Sequence, residues 1–355
     1  MGIKGLPKYI SKLELCVKFN NDLKNCRIAI DIGGFMHRYT ERMHYSTEYV
    51  DRFLAFAREM KLAGIDYVFI FDGMVDKLKS ETLQQRRVKR EHATRLLDKK
   101  IQQCECNERE FFQKLIYLSN QKYQQNNQIA FVLEKLHQIR TIKINLIRRK
   151  NPVSRKFFYN LETIFSKNGI PYLVADQEAE KACSWLAQNG FTDFVVSDDF
   201  DTLVCGAPIM LRCWKQRSCC TITLVEILQN LRLTYSDFVD ACVLAGSDFA
   251  KPSSNSGFKK ALRFIRLEIL KKNDNEDDLL TRTFNRFYRQ DYRTLEDQNK
   301  ALALFRSAKK MFTEPSFPFA RSVLIFALVW ILIVIKRKCL PFGPLKNAML
   351  NECAH

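Results

Sequence analysis

The sequence predicts an α/β fold: a mainly parallel central sheet flanked by helices. Three observations carry that expectation. Arg27-Ile-Ala-Ile-Asp31, Tyr67-Val-Phe-Ile-Phe-Asp72 and Phe194-Val-Val-Ser-Asp198-Asp199 are short apolar runs that end on an aspartate beside a turn, as strands buried on both faces do. Helical patterns lie between them, over Thr47–Leu62 (Val50, Phe53, Leu54, Ala57, Met60) and Ala179–Gln188. Strand, helix and strand with long connections define a parallel sheet, whose crevice opens beyond the carboxyl ends of its strands. Acids ending three separate strands are therefore expected to converge. The blander reading is that each aspartate starts a turn.

Taken in order, the chain begins Met1-Gly-Ile-Lys-Gly-Leu6, with the glycine of a myristoylation signal but Leu6 where Ser or Thr is required, so no lipid anchor is expected. Lys77–Lys100 lacks Gly and Pro and is strongly helix-forming. Segment 76–100 holds nine Lys/Arg against four acids. At about 100° per residue, Lys79, Arg86 and Arg90 share one helix face. In an arbitrary helix that is a solvated face; directly after an acidic strand end it suits phosphate. Residues 101–134 are rich in Gln, Asn and Glu, with an amphipathic stretch around Phe111, Phe112, Leu115, Ile116 and Leu118. Residues 135–156 carry eight basic residues and no acid. That is an electrostatic feature rather than a fold signal, suited to a nucleic-acid backbone, and Arg148-Arg149-Lys150 also reads as a nuclear-import patch.

Glu178, Glu180, Asp199 and Asp201 fall within 24 residues, in two i, i+2 pairs beside apolar runs. Carboxylates are hard ligands for Mg²⁺ or Mn²⁺, and clustered ones repel unless cations neutralise them. In mid-helix Glu178 and Glu180 would point apart, so both reach metal only if the helix starts there. Phe238–Asp248 reads as a helix closing on Gly246 with Asp248 just past its end. A small-residue turn up to Gly257 precedes the helical stretch Ala261–Leu270, and such a turn can hold phosphate by its N–H groups. Residues 271–300 are charged and show no clear pattern. Val323–Ile335 is thirteen apolar residues, followed by Lys336-Arg-Lys338. It is too short for a membrane span and reads as a buried element, with membrane association through 323–338 as the minority reading. Four regions result: an N-terminal region 1–100, a basic insert 101–156, a second internal region 157–270, and a C-terminal region 271–355.

The net charge of +18 favours polyanionic partners, nucleic acid first and anionic membrane second. The twelve cysteines form no trusted zinc spacing and read as reduced intracellular thiols.

These residues resemble the flap endonucleases, members of the XPG-type structure-specific 5′ nucleases. The matching motifs are Met1–Leu6, Ile28–Asp31, Val68–Gly73, Leu78–Ser80, Gly169–Tyr172, Glu178–Glu180, Asp199–Asp201 and Leu244–Asp248, in the family's order. The resemblance implies a two-metal Mg²⁺ site (Mn²⁺ as an alternative ion) on Asp31, Asp72, Glu178, Glu180, Asp199, Asp201 and Asp248. It casts Lys79 and Arg86 as arch cations that neutralise charge on the scissile phosphate. It places DNA contacts at Gly2, His37, Lys89 or Arg90, and at the helix–two-turn–helix element of Gly257, Lys259 and Lys260, where the family holds K⁺. The implied activity is hydrolysis at 5′ flaps in replication, repair or recombination, by a monomer in the nucleus or wherever DNA is replicated, with no small-molecule cofactor. A 5′-3′ exonuclease of the same family and a catalytically silent DNA-binding scaffold are the alternatives. Departures stand out. His37 replaces a stacking tyrosine, Asn255 replaces a glycine that the K⁺ site uses, the arch is long, and the C-terminus has no sliding-clamp motif.

Overall fold

The computed structural model describes residues 2–18, 23–40, 48–74, 77–120, 126–150, 155–215, 218–250, 257–271, 278–314 and 319. In its first half the elements are α1 (Leu6–Lys12), β1 (Val17–Lys18), β2 (Arg27–Asp31), α2 (Ile32–Thr40), α3 (Glu48–Leu62), β3 (Asp66–Phe71), α4 (Ser80–Ser119), α5 (Asn126–Lys150) and α6 (Arg155–Lys167). There follow β4 (Tyr172–Val174), α7 (Ala179–Gln188), β5 (Phe194–Val196), α8 (Asp201–Val204), β6 (Ile209–Lys215), β7 (Ser218–Thr223) and α9 (Leu224–Leu231). Four helices complete the described fold: α10 (Tyr235–Ala245), α11 (Phe258–Ile269), α12 (Leu279–Phe287) and α13 (Leu295–Thr313).

Seven strands form one sheet in the order β1-β7-β6-β5-β2-β3-β4. The run β6-β5-β2-β3-β4 is parallel, and β7 pairs antiparallel with both β6 and β1. The expected mainly parallel sheet is therefore present. All five residues of β2 are buried, which is why that strand reads as an unbroken apolar run rather than an alternating one. One face of the sheet is covered by an aromatic core that includes Phe35, Phe53, Phe56, Phe69, Phe71 and Phe165, supplied by α2, α3, α6 and the strands. The other face packs α7 through Ala179, Ala182, Cys183 and Leu186. A separate helical core joins α1, α10, α11, α12 and α13. The starts of the central strands β2 and β5 are tied by Arg27, which donates to both carboxylate oxygens of Asp193 (3.1 and 2.7 Å) and to the Gly190 carbonyl.

The helix expected over 77–100 is longer than its composition marked. Lys77–Lys79 is a 3-10 turn, and α4 then runs 40 residues without a break, about 60 Å at 1.5 Å per residue. The boundary drawn at 100/101 falls inside this helix, and that at 156/157 inside α6. α5 packs back along α4. Leu118, Val132 and Leu136 are buried between them with Phe111, Leu115 and Ile129 alongside, while Phe112 and Ile116 are half exposed. Arg140 and Lys143 are paired with Glu108, and Lys143 also with Glu105. Two of the eight basic residues in 135–156 thus hold the hairpin together instead of facing a partner. The stretch 271–300, patternless in sequence, contains α12 and the start of α13, both begun by capping side chains, Asp278 and Thr294. The expectations for the 251–256 turn with Asn255, for the apolar run 323–335 and for the tail lie outside the described residues.

Candidate active site

Six of the seven acids reach one crevice by three local devices, and the seventh, Asp201, opens α8 with its N–H donating to Asp199 Oδ1 at 3.1 Å. Asp31 is the last residue of β2, and Asp72 and Asp199 follow β3 and β5 within a few residues. Since β2 lies between β3 and β5 in register, these strand ends are neighbours. The second device is a helix start. Glu178 is the extended cap residue of α7 and Glu180 lies in its first turn, so the two side chains leave the backbone before helical geometry would separate them. Asp72 Oδ1 accepts from the first helical amide, Ala179 N–H, at 2.9 Å, locking that helix end onto β3. Gly73 permits the close passage: a Cβ there would sit 1.9 Å from the Ala175 carbonyl oxygen. The third device is the end of α10, where Gly246 turns the chain at φ 104° and delivers Asp248.

The result is a dense anionic cluster. One carboxylate oxygen each from Asp72, Glu178 and Glu180 lies within 4.8 Å of the others. Asp31 and Asp201 are buried, Asp199 and Asp248 are half-buried, and Asp72 is on the open side. Burial raises the Asp31 carboxyl to about 7, with the Asp72 charge adding to it and hydrogen bonds from Ser197 and Gly33 opposing it. Burial also pushes Glu180 and Asp201 well above the carboxylate range, reinforced by Asp31 and Asp72 for the first and by Asp199 and Asp248 for the second. Asp201 Oδ1 is buried with no hydrogen-bond donor among the described residues. Buried carboxylates with raised proton affinity and an orphaned oxygen are short of positive charge, and an all-oxygen donor set is what hard divalent cations bind. The residues fit such an ion.

Two cations already stand in this field. Lys79 Nζ donates to Glu178 Oε2, and the ammonium lies 4.8 Å over the Phe249 ring. Burial, the largest single effect, lowers its proton affinity, but Glu178, Glu180 and Asp248 together outweigh it and the net shift is upward. Arg86 Nη2 donates to both oxygens of Asp248 at 2.6 and 2.7 Å. Lys79 does not share a helical face with Arg86 and Arg90, because it precedes α4 in the 3-10 turn; the turn, not the helix, aims it. Lys89 and Arg90 are exposed further up α4, away from the described acid contacts.

The remaining candidates divide. Gly2 lies against the acids: a Cβ on it would come within 2.2 Å of Asp199 Oδ1 and 2.6 Å of Asp201 Oδ1, so no side chain fits there without displacing a carboxylate. His37 is exposed on α2. Gly257 caps α11, and Lys259 and Lys260 are exposed in that helix's first turn. Three supporting residues were missed by sequence reasoning. Ser197 donates to Asp31 Oδ2 at 2.8 Å and accepts from Asp199 N–H, and Thr82 donates to the Asp248 carbonyl at 2.8 Å. Phe249 supplies the face under Lys79. A serine two residues before a site aspartate was a readable signal; Thr82 and Phe249 gave none.

Acids at parallel strand ends with cations at the foot of a long helix are the layout of an XPG-type nuclease fold. The sequence matches the XPG N-terminal domain over residues 1–93 and the XPG I-region over 169–248. The chain belongs to the XPG-type nuclease family. It is similar to flap endonuclease 1 of Babesia bovis, 27% identical over 75% of this chain and 37% of that protein, and of Theileria parva, 26% over 75% and 51%. Flap endonuclease 1-A of Oryza sativa is 28% identical over 78% of this chain and 70% of its own. The chain therefore spans only about a third to a half of the length of the first two. Among solved structures, the catalytic core of Rad2 in complex with DNA substrate superposes with a TM-score of 0.57 over 94% of this chain and 99% of its own, at 17% identity. Human GEN1 in complex with Holliday junction DNA reaches 0.50 over 94% and 74%, at 14% identity. Both likenesses are of fold.

Proposed function

We propose that this chain is a divalent-metal-dependent 5′ nuclease that hydrolyses phosphodiester bonds at junctions in branched DNA, 5′ flaps above all. The carrying observation is the convergence of seven carboxylates from β2, β3, β5, α7 and α10 beneath Lys79 and Arg86. The names of the relatives, flap endonuclease 1, and DNA-bound Rad2 and GEN1 support the substrate class.

In this reading Asp31, Asp72, Glu178, Glu180, Asp199, Asp201 and Asp248 hold Mg²⁺, or Mn²⁺ in its place. Divalent ions bound there activate the attacking water and offset charge on the leaving oxygen. The chain's own residues do the rest. Asp72 holds the start of α7 that carries Glu178, and Ser197 holds the Asp31 carboxylate and the Asp199 backbone. Lys79 and Arg86 leave Glu178 and Asp248 and turn to the scissile phosphate, where positive charge lowers the barrier most in a dry, preorganised site. Gly2, packed against Asp199 and Asp201 where no side chain fits, puts the start of the chain beside the branch point of the DNA. His37 offers an imidazole face to the base beside the cut, a smaller platform than a phenol ring. Lys89, Arg90, Lys259 and Lys260 take phosphates. The proposal includes no potassium site and no clamp partner.

A labelled 5′ flap and a nicked duplex, each with Mg²⁺ or EDTA, test the reading. Cleavage near the flap junction in Mg²⁺ alone is the expected result. Stepwise mononucleotide release from the nick with the flap uncut would make the chain a 5′-3′ exonuclease. No cleavage of either substrate in Mg²⁺ would leave only a scaffold.

A further inference from the structure

The reaction proposed for the crevice uses the start of the chain only through Gly2, yet α1, into which it leads, is no loose tail. Ile3, Leu6 and Ile10 are at most 1% exposed, in the core shared with α10–α13. Lys4 N–H donates to the Gly246 carbonyl at 3.1 Å, and the Lys4 carbonyl accepts from Phe258 N–H at 2.9 Å. The Tyr9 ring packs edge-on against Phe258 at 5.4 Å. One end of α1 is thus pinned at Asp199 and Asp201, and its flank lies on the first turn of α11.

On its solvent side α1 exposes Lys8 and Lys12 at i and i+4, Lys4 is exposed in the turn before the helix, where Gly5 has φ 83°, and no acid occurs before Glu14. On a helical wheel Lys12 is about 60° and Lys8 about 100° from Tyr9, the residue that touches α11. Across that contact α11 exposes Lys259, Lys260 and Arg263. Lys8 and Lys12 lie about 6 Å apart along the helix axis. A duplex offers one phosphate per about 3.4 Å of axis on each strand, so the pair spans about two of them. Single strands are held by stacking on exposed rings, and the one ring in this stretch, Tyr9, is half-buried and occupied by Phe258.

We propose that Lys8 and Lys12 of α1, with Lys4 in the turn before it, form with Lys259, Lys260 and Arg263 of α11 a phosphate track that holds a duplex arm of the DNA leading away from the acidic crevice. This rests on the reading of the chain as a DNA nuclease and adds a surface to it. The test uses the full chain in EDTA, with a blunt 30-base-pair duplex and a 30-nucleotide single strand, titrated across salt concentrations. For Lys8→Gln/Lys12→Gln, duplex affinity falls about tenfold at 0.1 M salt. The slope of log K against log salt drops by about 1.8, because two counterion-releasing contacts are lost. Single-strand affinity stays within about twofold. Lys259→Gln/Arg263→Gln reproduces the change from the α11 side, so the inference does not hang on one variant folding. An unchanged salt slope in both double variants overturns the track, whatever happens to binding of phosphatidylserine vesicles; so does an equal loss on single strands. A wild type that cuts flaps while both variants keep full duplex affinity sinks the track alone. A wild type that binds duplex through these lysines but cuts nothing in Mg²⁺ sinks the nuclease reading alone.

Discussion

Loading the crevice with Mg²⁺ or Mn²⁺ should expel protons, and the number can be worked from the site. Asp31, raised to about 7 by burial and by Asp72, is about half protonated at neutral pH. Glu180 and Asp201 are pushed the same way by burial and by their carboxylate neighbours. A carboxylate must be deprotonated to bind a cation, so the ion displaces what these groups hold. Because the acids interact, the protons belong to the cluster and not to single residues. Lys79 contributes none, since an ammonium freed from Glu178 stays protonated at neutral pH. The expected release at pH 7 is at least the roughly half proton held by Asp31, more with the shares of Glu180 and Asp201, and it falls as pH rises above 7. Isothermal titration of Mn²⁺ into DNA-free protein, in two buffers of different ionisation enthalpy, reads that number directly. Apparent affinity should weaken by about a factor of ten per pH unit below 7 for each proton displaced. Heats identical in both buffers at pH 7 would refute the argument, because they would mean the acids are already ionised without metal.

Other outcomes follow from the same contacts. Asp201→Ala should abolish flap cleavage while flap binding in EDTA stays within about threefold; surviving cleavage would remove Asp201 from the donor set. Lys79→Ala should slow single-turnover cleavage about a hundredfold, the loss expected for one transition-state cation. The same variant should bind Mn²⁺ more tightly without DNA, since Glu178 loses a competing partner, and an unchanged Mn²⁺ affinity would count against that competition. Asp240, 1% exposed, is raised by burial to about 6 despite Lys309 at 2.8 Å. A raised acid stabilises the fold below its unfolded value near 4, and that contribution is lost as pH rises through about 6. The shift from 3.8 amounts to about 3 kcal/mol. Urea unfolding of wild type and Asp240→Asn should therefore give a stability difference that moves by up to that amount between pH 4 and 7.5; parallel profiles would sink the assignment.

How much was legible depends on the range of the interaction. The strands were readable because burial on both faces leaves a continuous apolar run, as in Arg27–Asp31. The start of α7 was readable because Glu178 and Glu180 could meet one ion in no other way. The full length of α4 was not, because a helix polar on nearly all sides shows no apolar stripe until Phe111 and Leu118 meet α5. Nor was the resting place of the two arch cations, since Lys79 and Glu178 are 99 residues apart and Arg86 and Asp248 are 162 apart. That last point changes how the site is understood. Sequence alone assigns these cations to phosphate, whereas the folded chain places them on carboxylates of the cluster. One ammonium cannot neutralise Glu178 and a phosphate oxygen at once. The site is therefore balanced in either of two ways, by its own side chains or by added cations with DNA above them. Thr82, which donates to the Asp248 carbonyl, keeps the foot of α4 within reach of both. In the proposed reaction, charge exchange at that foot would couple filling of the crevice to the freeing of Lys79 and Arg86 for the substrate phosphate.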